Sequence, residues 1–314
     1  LNNGRIMRRY RIIGVILLLL PAILLAQAKV GTASAQFLEI PIGARSVGMG
    51  DAFLATANDV SAIYYNPAGL TNLMRKEVLF THTMWAAGIS HEFAAFAIPI
   101  TQLGGVVGIS VIALTTGDMV ERTIGRPEGT GRTFSASDLA IGLTYSRKMT
   151  DRFSAGLTWK YVGEYYADVV AHSWAMDIGV LYFTSFSGLR IGMNFCNFGP
   201  DVTMLKNAYP LPMAFHFGMA MEAYESGPHK LTVGCNGSHP NDNLEKFQVG
   251  TEYWYNDMFA VRAGYKFGAW DADFFGVGAG AKIPVSSTVF KVDYSLSEMQ
   301  ELLLVHRFSL GVEF

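Results

Sequence analysis

Apolar and polar residues alternate with a period of two along most of the chain from residue 77 onward. In "RFSAGLTWKY" (152–161), apolar side chains occupy every second position, and Ser, Gly, Thr and Lys lie between them. The stretches "MAFHFGMAME", "FAVRAGYKF" and "FFGVGAGAKI" repeat this pattern. Because successive side chains of a strand point to opposite faces, the pattern predicts strands with one apolar face and one small or polar face.

Counting these segments predicts fourteen strands. Short connections such as "TQLG" and "MTDR" follow even strands, and longer ones follow most odd strands, notably 117–132 and 199–212. A soluble sandwich shows the same alternation but does not sort its loops in this way. An even strand number with sorted loops is typical of bacterial outer-membrane barrels. The predicted fold class is therefore all-β, a fourteen-stranded antiparallel transmembrane β-barrel with strands at 77–86, 90–100, 104–116, 133–148, 152–163, 173–184, 188–198, 212–223, 229–237, 245–255, 258–268, 273–283, 288–296 and 304–314.

Residues 1–28 predict a cleaved signal peptide, in which 1–6 form an upstream extension before Met7. The basic start "MRRYR" is followed by an apolar run and then by the small-x-small cleavage site "AQA". The run is too short to cross a bilayer, which takes about 20 apolar residues. We therefore expect export, and a location in the outer membrane of a Gram-negative bacterium.

Residues 29–76 are predicted to form an N-terminal plug inside a barrel made by 77–314. A ring of fourteen strands encloses a lumen too wide for its own side chains to fill. The segment is rich in small residues, with a possible short helix around 51–64 and an "NPAG" turn that the Asn66 side chain is expected to brace. The first two strands are apolar on both faces, as expected where their interior packs on protein.

The stretch "GARSVGMGDAFLATANDVSAIYYNPAGL" (43–70) resembles the plug signature of FadL-type fourteen-stranded outer-membrane barrels, most closely in the PorV/PorQ branch. This resemblance implies a non-enzymatic barrel associated with type IX secretion, a scaffold or carrier that binds the C-terminal domains of exported cargo through loops 117–132 and 199–212. The alternative is FadL-like transport of hydrophobic small molecules, and a third possibility is a structural barrel with no ligand. The plug-motif residues are Gly43, Gly48, Gly50, Asp51, Asn58, Asp59, Asn66, Pro67 and Gly69.

The last strand places Phe308, Leu310, Val312 and Phe314 on one face. This arrangement resembles the membrane-insertion signal that the barrel-insertion machinery recognises. The expected partners are therefore outer-membrane lipid and that machinery, and type IX secretion components if the carrier reading holds. Nucleic acid is not expected, because the net charge is −2 and no basic tract follows Arg11.

Charged residues on the polar faces of the strands have mixed signs in near balance. This balance predicts internal salt bridges, whereas a selective pore would show one sign around a constriction. We expect Asp51 and Asp59 of the plug to pair with wall lysines and arginines, and a ligand site is the alternative. The inward charged residues are Lys160, Arg190, Arg262, Lys266, Lys282, Lys291, Arg307, Asp138, Asp177, Glu222, Glu252, Asp293 and Glu313.

No catalytic or metal-binding pattern emerges from the sequence. The seven histidines are scattered without a metal-ligand spacing, and "GVGAGAK" lacks the spacing of a phosphate-binding loop. His91 and Glu92 are adjacent on a predicted strand and so point to opposite faces. We expect no enzyme, no metal and no cofactor. The two cysteines, Cys196 facing inward and Cys235 outward, are expected to be free thiols.

Overall fold

The computed structural model describes residues 30–186, 188–268, 275–299 and 304–314. The predicted signal peptide lies outside these ranges. Within them, no helix has both the length and the apolar character needed to cross a membrane.

Fourteen of the strands form one closed antiparallel barrel, in which every strand pairs with two neighbours and β18 closes the ring against β1. The predicted number of strands is confirmed. The strands in chain order are β1 Glu77–Met84, β2 Ser90–Ile100, β3 Gly105–Thr115, β4 Met119–Val120, β5 Thr133–Phe134, β6 Ala136–Lys148, β7 Phe153–Tyr166, β8 Val169–Phe183, β9 Arg190–Phe198, β10 Val202–Met204, β11 Asn207–Tyr209, β12 Ala214–Ser226, β13 His229–Pro240, β14 Lys246–Tyr255, β15 Phe259–Phe267, β16 Phe275–Val285, β17 Thr288–Glu298 and β18 Leu304–Glu313.

The four strands outside the barrel form two small hairpins that the sequence did not predict. The pair β4–β5 lies in the loop after β3, and the pair β10–β11 lies in the loop after β9. A second difference concerns the connection between β7 and β8, which was expected to be long. Both strands continue past their predicted ends and leave a two-residue turn, in which Ala167 has a left-handed φ of 51°.

The two ends of the barrel differ in their connections. At the short-turn end, tight turns such as 149–152 and 286–287 join the strands, and both chain segments that flank the barrel also lie there. The amide of Phe314 donates to the carbonyl of Lys76 at 3.0 Å. The long-loop end carries the two hairpins. The two ends of the barrel are therefore distinguished by the length of their connections.

Side-chain exposure follows the predicted alternation of faces. On β15, Val261 is 58 % exposed, whereas its neighbour Arg262 is 4 % exposed. On β7, Trp159 is exposed and Lys160 is buried. The apolar row therefore covers the outside of the barrel, and the polar row faces the lumen.

Residues 30–76, here called the plug segment, contain two short helices, α1 Ala44–Gly48 and α2 Ala62–Tyr65. Short 3-10 helices cover Gln36–Glu39 and Pro67–Asn72, and two more lie between barrel strands at Ala86–Gly88 and Thr101–Leu103.

The prediction of a short helix around 51–64 is wrong for most of that range, because the helix begins only at Ala62. Gly50 and Asp51 both have left-handed φ angles of 59°, which a right-handed helix does not accommodate. Farther along, the Asp59 carboxylate accepts a hydrogen bond from the Ser61 amide at 3.0 Å. This local turn lies directly before α2, so the helix begins after it.

The plug segment lies in the lumen and touches the wall at opposite sides of the ring. Helix α1 packs against β15 to β18, whereas the 3-10 turn Pro67–Asn72 packs against β6, β7 and β8. Val47 and Phe53 are fully buried between plug and wall. The inward faces of β1 and β2 contribute Leu79 and Phe93 to the same apolar cluster as Phe53.

Candidate functional site

The first glycines of the plug motif allow the backbone of the plug to lie directly on the wall. Gly43 precedes α1 with a left-handed φ of 79°. A Cβ on Gly48 would lie 3.1 Å from the Cα of Gly278, and one on Gly50 would overlap the backbone at Gly264 and Tyr265. Gly50 therefore needs glycine both for close approach and for its φ, whereas a side chain at position 48 would require the facing backbone to shift slightly.

The "NPAG" turn is braced by Asn66, as expected. The Asn66 carboxamide oxygen accepts from the Ala68 amide at 3.2 Å, and its Nδ2 donates to the carbonyls of Leu54 at 3.3 Å and Val180 at 3.0 Å. Pro67 sits against two inward glycines of the wall, where any Cβ would overlap the turn. Gly69 likewise has no room for a Cβ, since the Ala57 carbonyl would lie in its place. The motif thus fixes a compact turn against β7 and β8.

The charged residues of the plug motif converge on Arg45. Its guanidinium donates to Asn58 Oδ1 at 2.7 Å and to Asp59 Oδ2 at 2.6 Å. It also forms a two-point pair with the wall residue Glu252, at 2.7 and 2.8 Å. Asp59 therefore pairs within the plug rather than with a wall cation as expected. Asp51 does pair with the wall, through Lys266.

Burial and charge shift the titration of this cluster. Burial by itself raises the pKa of Asp59, but Arg45, Lys291 and the Ser61 hydrogen bonds outweigh it and leave the pKa below its usual value. The pKa of Arg45 lies well above its usual range, since the attraction of Glu252 and Asp59 exceeds the opposing effect of burial. The ionised forms of both plug residues are therefore stabilised.

Most of the predicted inward charges form ion pairs across the lumen wall. Two-signed pairing of this kind favours internal bracing over ion conduction. The pairs are Lys160–Asp177 at 2.8 Å, Arg190–Glu222 at 2.8 Å, Arg262–Glu252 at 2.7 Å, Arg262–Asp293 at 2.6 Å, Lys291–Glu77 at 2.8 Å and Lys291–Glu313 at 3.3 Å.

A cavity of about 360 Å³ lies in the part of the lumen near the long-loop end, and the plug segment forms part of its lining. Its volume falls at the small end of the range of ligand pockets, roughly 300–1,000 Å³. The plug segment supplies four apolar side chains of the lining, Leu38, Ile40, Pro41 and Leu54, beside polar ones such as Gln36 and Asp51. Trp85, Pro212, Ala214 and Met299 add apolar surface toward the rim.

Another part of the lining is a polar wall built by β9, β12, β13, β14 and β15, which are neighbours in the barrel. The pairing register sets its side chains in two rows. The row nearer the long-loop end contains Asn194, His216, Ser238 and Lys246. The next row toward the short-turn end contains Asn236, Gln248 and Lys266. All of these residues line the cavity. The register of the sheet thus places seven hydrogen-bonding side chains on one continuous surface.

Each of the three lysines that line the cavity lies near a carboxylate. Lys160 pairs with Asp177 and also donates to Asn197, and Lys266 pairs with Asp51. The third pair is looser, because 3.9 Å separates Lys246 Nζ from Glu39 Oε2. Burial raises the pKa of Glu39, an effect that Lys246 opposes and Asp242 reinforces. The cavity is therefore nearly neutral in charge despite its many ionic groups.

The remaining predicted residues are placed as follows. Phe308, Leu310 and Phe314 are exposed on the outer face of β18, and Val312 lies partly exposed on the same face. Both cysteines are free, as predicted, and Cys196 lines the cavity. Cys235 lies on the outward face of β13. Among the described residues, no group of three or more His, Cys, Asp and Glu side chains is arranged to hold a metal ion.

Two elements of the site were missed from the sequence. Arg45 is the only lysine or arginine in the motif 43–70. Because that segment was expected to be buried in the barrel, its one cation could have been predicted to form an ion pair. The polar wall gave no local signal, because each strand contributes only one or two of its residues. Only the register of the closed sheet brings them together.

The model of the uncharacterised protein family UPF0164 matches residues 24–137, less than half of the chain. The match spans the plug segment and the first barrel strands. No curated protein matches the sequence.

Several solved outer-membrane channels share the fold. A FadL homologue from Pseudomonas aeruginosa has a TM-score of 0.58 at 11 % identity, covering 88 % of this chain and 98 % of its own. The Pseudomonas putida toluene transporter TodX has a TM-score of 0.56 at 12 % identity, covering 87 % and 96 %. The Ralstonia pickettii toluene transporter TbuX has a TM-score of 0.54 at 14 % identity, covering 87 % and 97 %. At these identities the likeness shows a common barrel fold.

Proposed function

We propose that this protein is an outer-membrane barrel that binds small molecules with an apolar surface in the cavity and passes them inward. The observation that carries the proposal is the cavity itself, which lies near the long-loop end and is lined by apolar as well as polar side chains. The fold likeness supports this reading, because the similar structures include two toluene transporters.

The polarity of the barrel gives the proposed path a direction. In outer-membrane barrels the short turns face the periplasm and the long loops face outward. By this rule the cavity of the present chain lies in the outer part of the lumen, where the start of the plug segment borders it and α1 and α2 lie farther inward. A molecule bound there has the plug segment and its ion pairs between it and the periplasm. Passage therefore requires the plug to shift or the wall to part.

The carrier hypothesis that came from the PorV/PorQ resemblance stays a prediction. None of the similar structures named above is a secretion component, and the loops expected to contact cargo form two small hairpins. Since the cavity and the fold both favour a small ligand, the transport reading is the one we adopt.

The proposal is tested with Cys196 as a reporter, because this thiol lines the cavity. In a Cys235→Ala variant, Cys196 is the remaining cysteine of the described chain, and its rate of reaction with a small thiol reagent is measured with and without ethylbenzene. We expect ethylbenzene or a substituted relative to slow the reaction. The matched control, Cys196→Ala, keeps only the outward Cys235, whose reaction should not change.

A second measurement follows uptake by Gram-negative cells that produce the protein. We expect faster accumulation of the protecting compound than in cells without the protein. The proposal fails if no compound of this kind protects Cys196 and uptake stays at the background rate.

A further inference from the structure

We infer that the preferred ligand is an uncharged molecule that carries a hydroxyl or similar hydrogen-bonding group on an apolar body, rather than a bare hydrocarbon or an anion. This inference rests on the proposed function and names the substrate class of the same cavity. It follows from the unbonded side chains of the polar wall, from the pairing of the charged residues around the cavity, and from the apolar side chains in the same lining.

Three neighbouring side chains of the polar wall are not engaged by the protein. In the described ranges, His216, Ser238 and Gln248 make no side-chain hydrogen bond to another protein group, although all three line the cavity. Ser238 is 7 % exposed and Gln248 is 8 % exposed, so they are buried in the wall with the cavity as their open side. They lie together, because Ser238 pairs in register with His216 and with Lys246, the residue two before Gln248. The wall thus presents unused donors and acceptors to a ligand.

A bare hydrocarbon is poorly matched to this wall. When it fills the cavity it displaces water from His216, Ser238 and Gln248 and returns no hydrogen bond. A buried polar group left without a partner is costly, and each lost hydrogen bond of this kind lowers affinity by about tenfold or more. A hydroxyl group, which both donates and accepts, restores such a bond.

An anionic ligand is also disfavoured. Lys160 and Lys266 are held in ion pairs by Asp177 and Asp51, so neither is available without breaking a buried pair. Lys246 lies near Glu39, whose raised pKa shows that the surroundings already disfavour a carboxylate. An incoming anion would lose its hydration and meet three carboxylates, while each lysine in the described part of the lining already lies near one of them.

The apolar body of the ligand has its own surface. Leu38, Ile40 and Leu54 of the plug segment line the cavity, and Trp85 adds a ring near the rim. A molecule with an apolar body and one hydrogen-bonding group can contact both these side chains and the polar wall. A fully polar solute would leave the apolar side chains without a matching surface.

The test compares three compounds on one carbon skeleton: ethylbenzene, 2-phenylethanol and phenylacetate. Binding is measured as the concentration that half-protects Cys196 in the Cys235→Ala protein at neutral pH, where phenylacetate is ionised. We expect 2-phenylethanol to protect at a concentration at least about tenfold lower than either ethylbenzene or phenylacetate.

A wall variant separates hydrogen bonding from shape. Ser238→Ala combined with Gln248→Leu should weaken protection by 2-phenylethanol at least about tenfold and leave protection by ethylbenzene equal or stronger. The control, Val249→Ala, alters an outward side chain next to Gln248 and should change neither value. The double variant changes no ion pair, so loss of the fold is not its expected effect, and unchanged protection by ethylbenzene confirms an intact cavity.

The results of these measurements separate failure of the inferred ligand class from failure of the proposed function. Protection by ethylbenzene as strong as by 2-phenylethanol, or strongest protection by phenylacetate, overturns the inference and leaves the proposed function standing. Protection by none of the three overturns both. A preference for the alcohol that survives the double variant also contradicts the inference, because the polar wall would not be its source.

Discussion

Arg45 joins three parts of the lumen through a single guanidinium group. It holds the turn at Asn58 and Asp59 and ties α1 to Glu252 on β14. Glu252 is also bonded to Arg262, so the plug enters a network that continues along the wall to Asp293. Fixed, buried charges of this kind position the plug more than they add net stability.

Arg45→Ala should loosen the plug without unfolding the barrel. The substitution leaves Asp59 without its main partner and removes the plug's hold on Glu252, and loss of one member of a buried pair costs on the order of 3 kcal/mol. Amide hydrogen exchange should therefore speed up in 44–66 and stay unchanged in the strands. The matched control is Arg75→Ala, which removes an exposed arginine bonded to the Ser287 carbonyl. Uniform protection in both variants would contradict the role given to Arg45.

The lowered pKa of Asp59 predicts that acid loosens the same region. A carboxyl whose folded pKa is below its ordinary value of 3.8 contributes stability above that value and loses it as the pH falls through the folded pKa. Exchange in 44–66, corrected for its intrinsic pH dependence, should thus accelerate below about pH 3.8 in the natural protein. In Asp59→Asn this acid-dependent part should vanish, and an identical pH profile for the two proteins would count against the assignment.

At the scale of elements, glycines on the inward faces of the strands set the fit between plug and wall. Gly250 on β14 and Gly264 on β15 are paired in register, and a Cβ on either would overlap the backbone at Met49. Gly276 on β16 stands in the same relation to the Val47 carbonyl. Three adjacent strands therefore offer a flat strip on which the end of α1 and the residues after it rest. The strip explains why glycine stands at these inward positions, although larger polar residues such as Glu252 and Arg262 occupy neighbouring ones.

Gly264→Ala should displace the plug segment from this strip. The added methyl group has no space because the atoms it meets are backbone, which cannot rotate away. We expect faster proteolysis of 44–66 and a faster reaction of Cys196, whose cavity borders the displaced segment. Gly125→Ala is the control, since a Cβ there meets nothing within 4 Å. Equal proteolysis of the two variants would show that the plug tolerates the methyl group.

The barrel strands could be predicted from the sequence, whereas the two small hairpins and the turns of the plug segment could not. The barrel strands were predictable because a period of two is local, and it persists through stretches such as 152–161. The two hairpins β4–β5 and β10–β11 escaped because their strands are two or three residues long, too short to show a period. The helix expected around 51–64 failed because left-handed Gly50 and Asp51 are held by the wall, a contact between distant segments.

At the scale of the whole molecule, three features occur together: the closed ring of strands, the plug segment in its lumen and the cavity near its long-loop end. A closed ring pairs its backbone without edges, which a wall in hydrocarbon requires. The plug segment runs through this lumen from the long-loop end, where the Ser34 amide donates to the Pro210 carbonyl, to the short-turn end before β1, and the space that it leaves near the long-loop end is the cavity. The outside of the barrel is an apolar surface built by every second residue. These features together fit the transport function proposed above.

The proposed membrane location makes a prediction that depends on depth along the wall. Leu143 is 57 % exposed near the middle of β6, and Met149 is 61 % exposed in the turn that follows. In a lipid-facing barrel, an arginine at mid-depth costs about 2–4 kcal/mol, whereas one near the interface costs about 0–1 kcal/mol.

Leu143→Arg should therefore lower the free energy of unfolding in phospholipid vesicles by about 2–4 kcal/mol, and Met149→Arg by no more than about 1 kcal/mol. Denaturant titration of the two variants and the natural protein in the same vesicles measures both values. If the outer face met water instead, each exposed substitution would shift stability by about 0.5 kcal/mol or less. Equal, small effects at the two positions would thus rule out a lipid-facing wall, and the transport function would lose its setting.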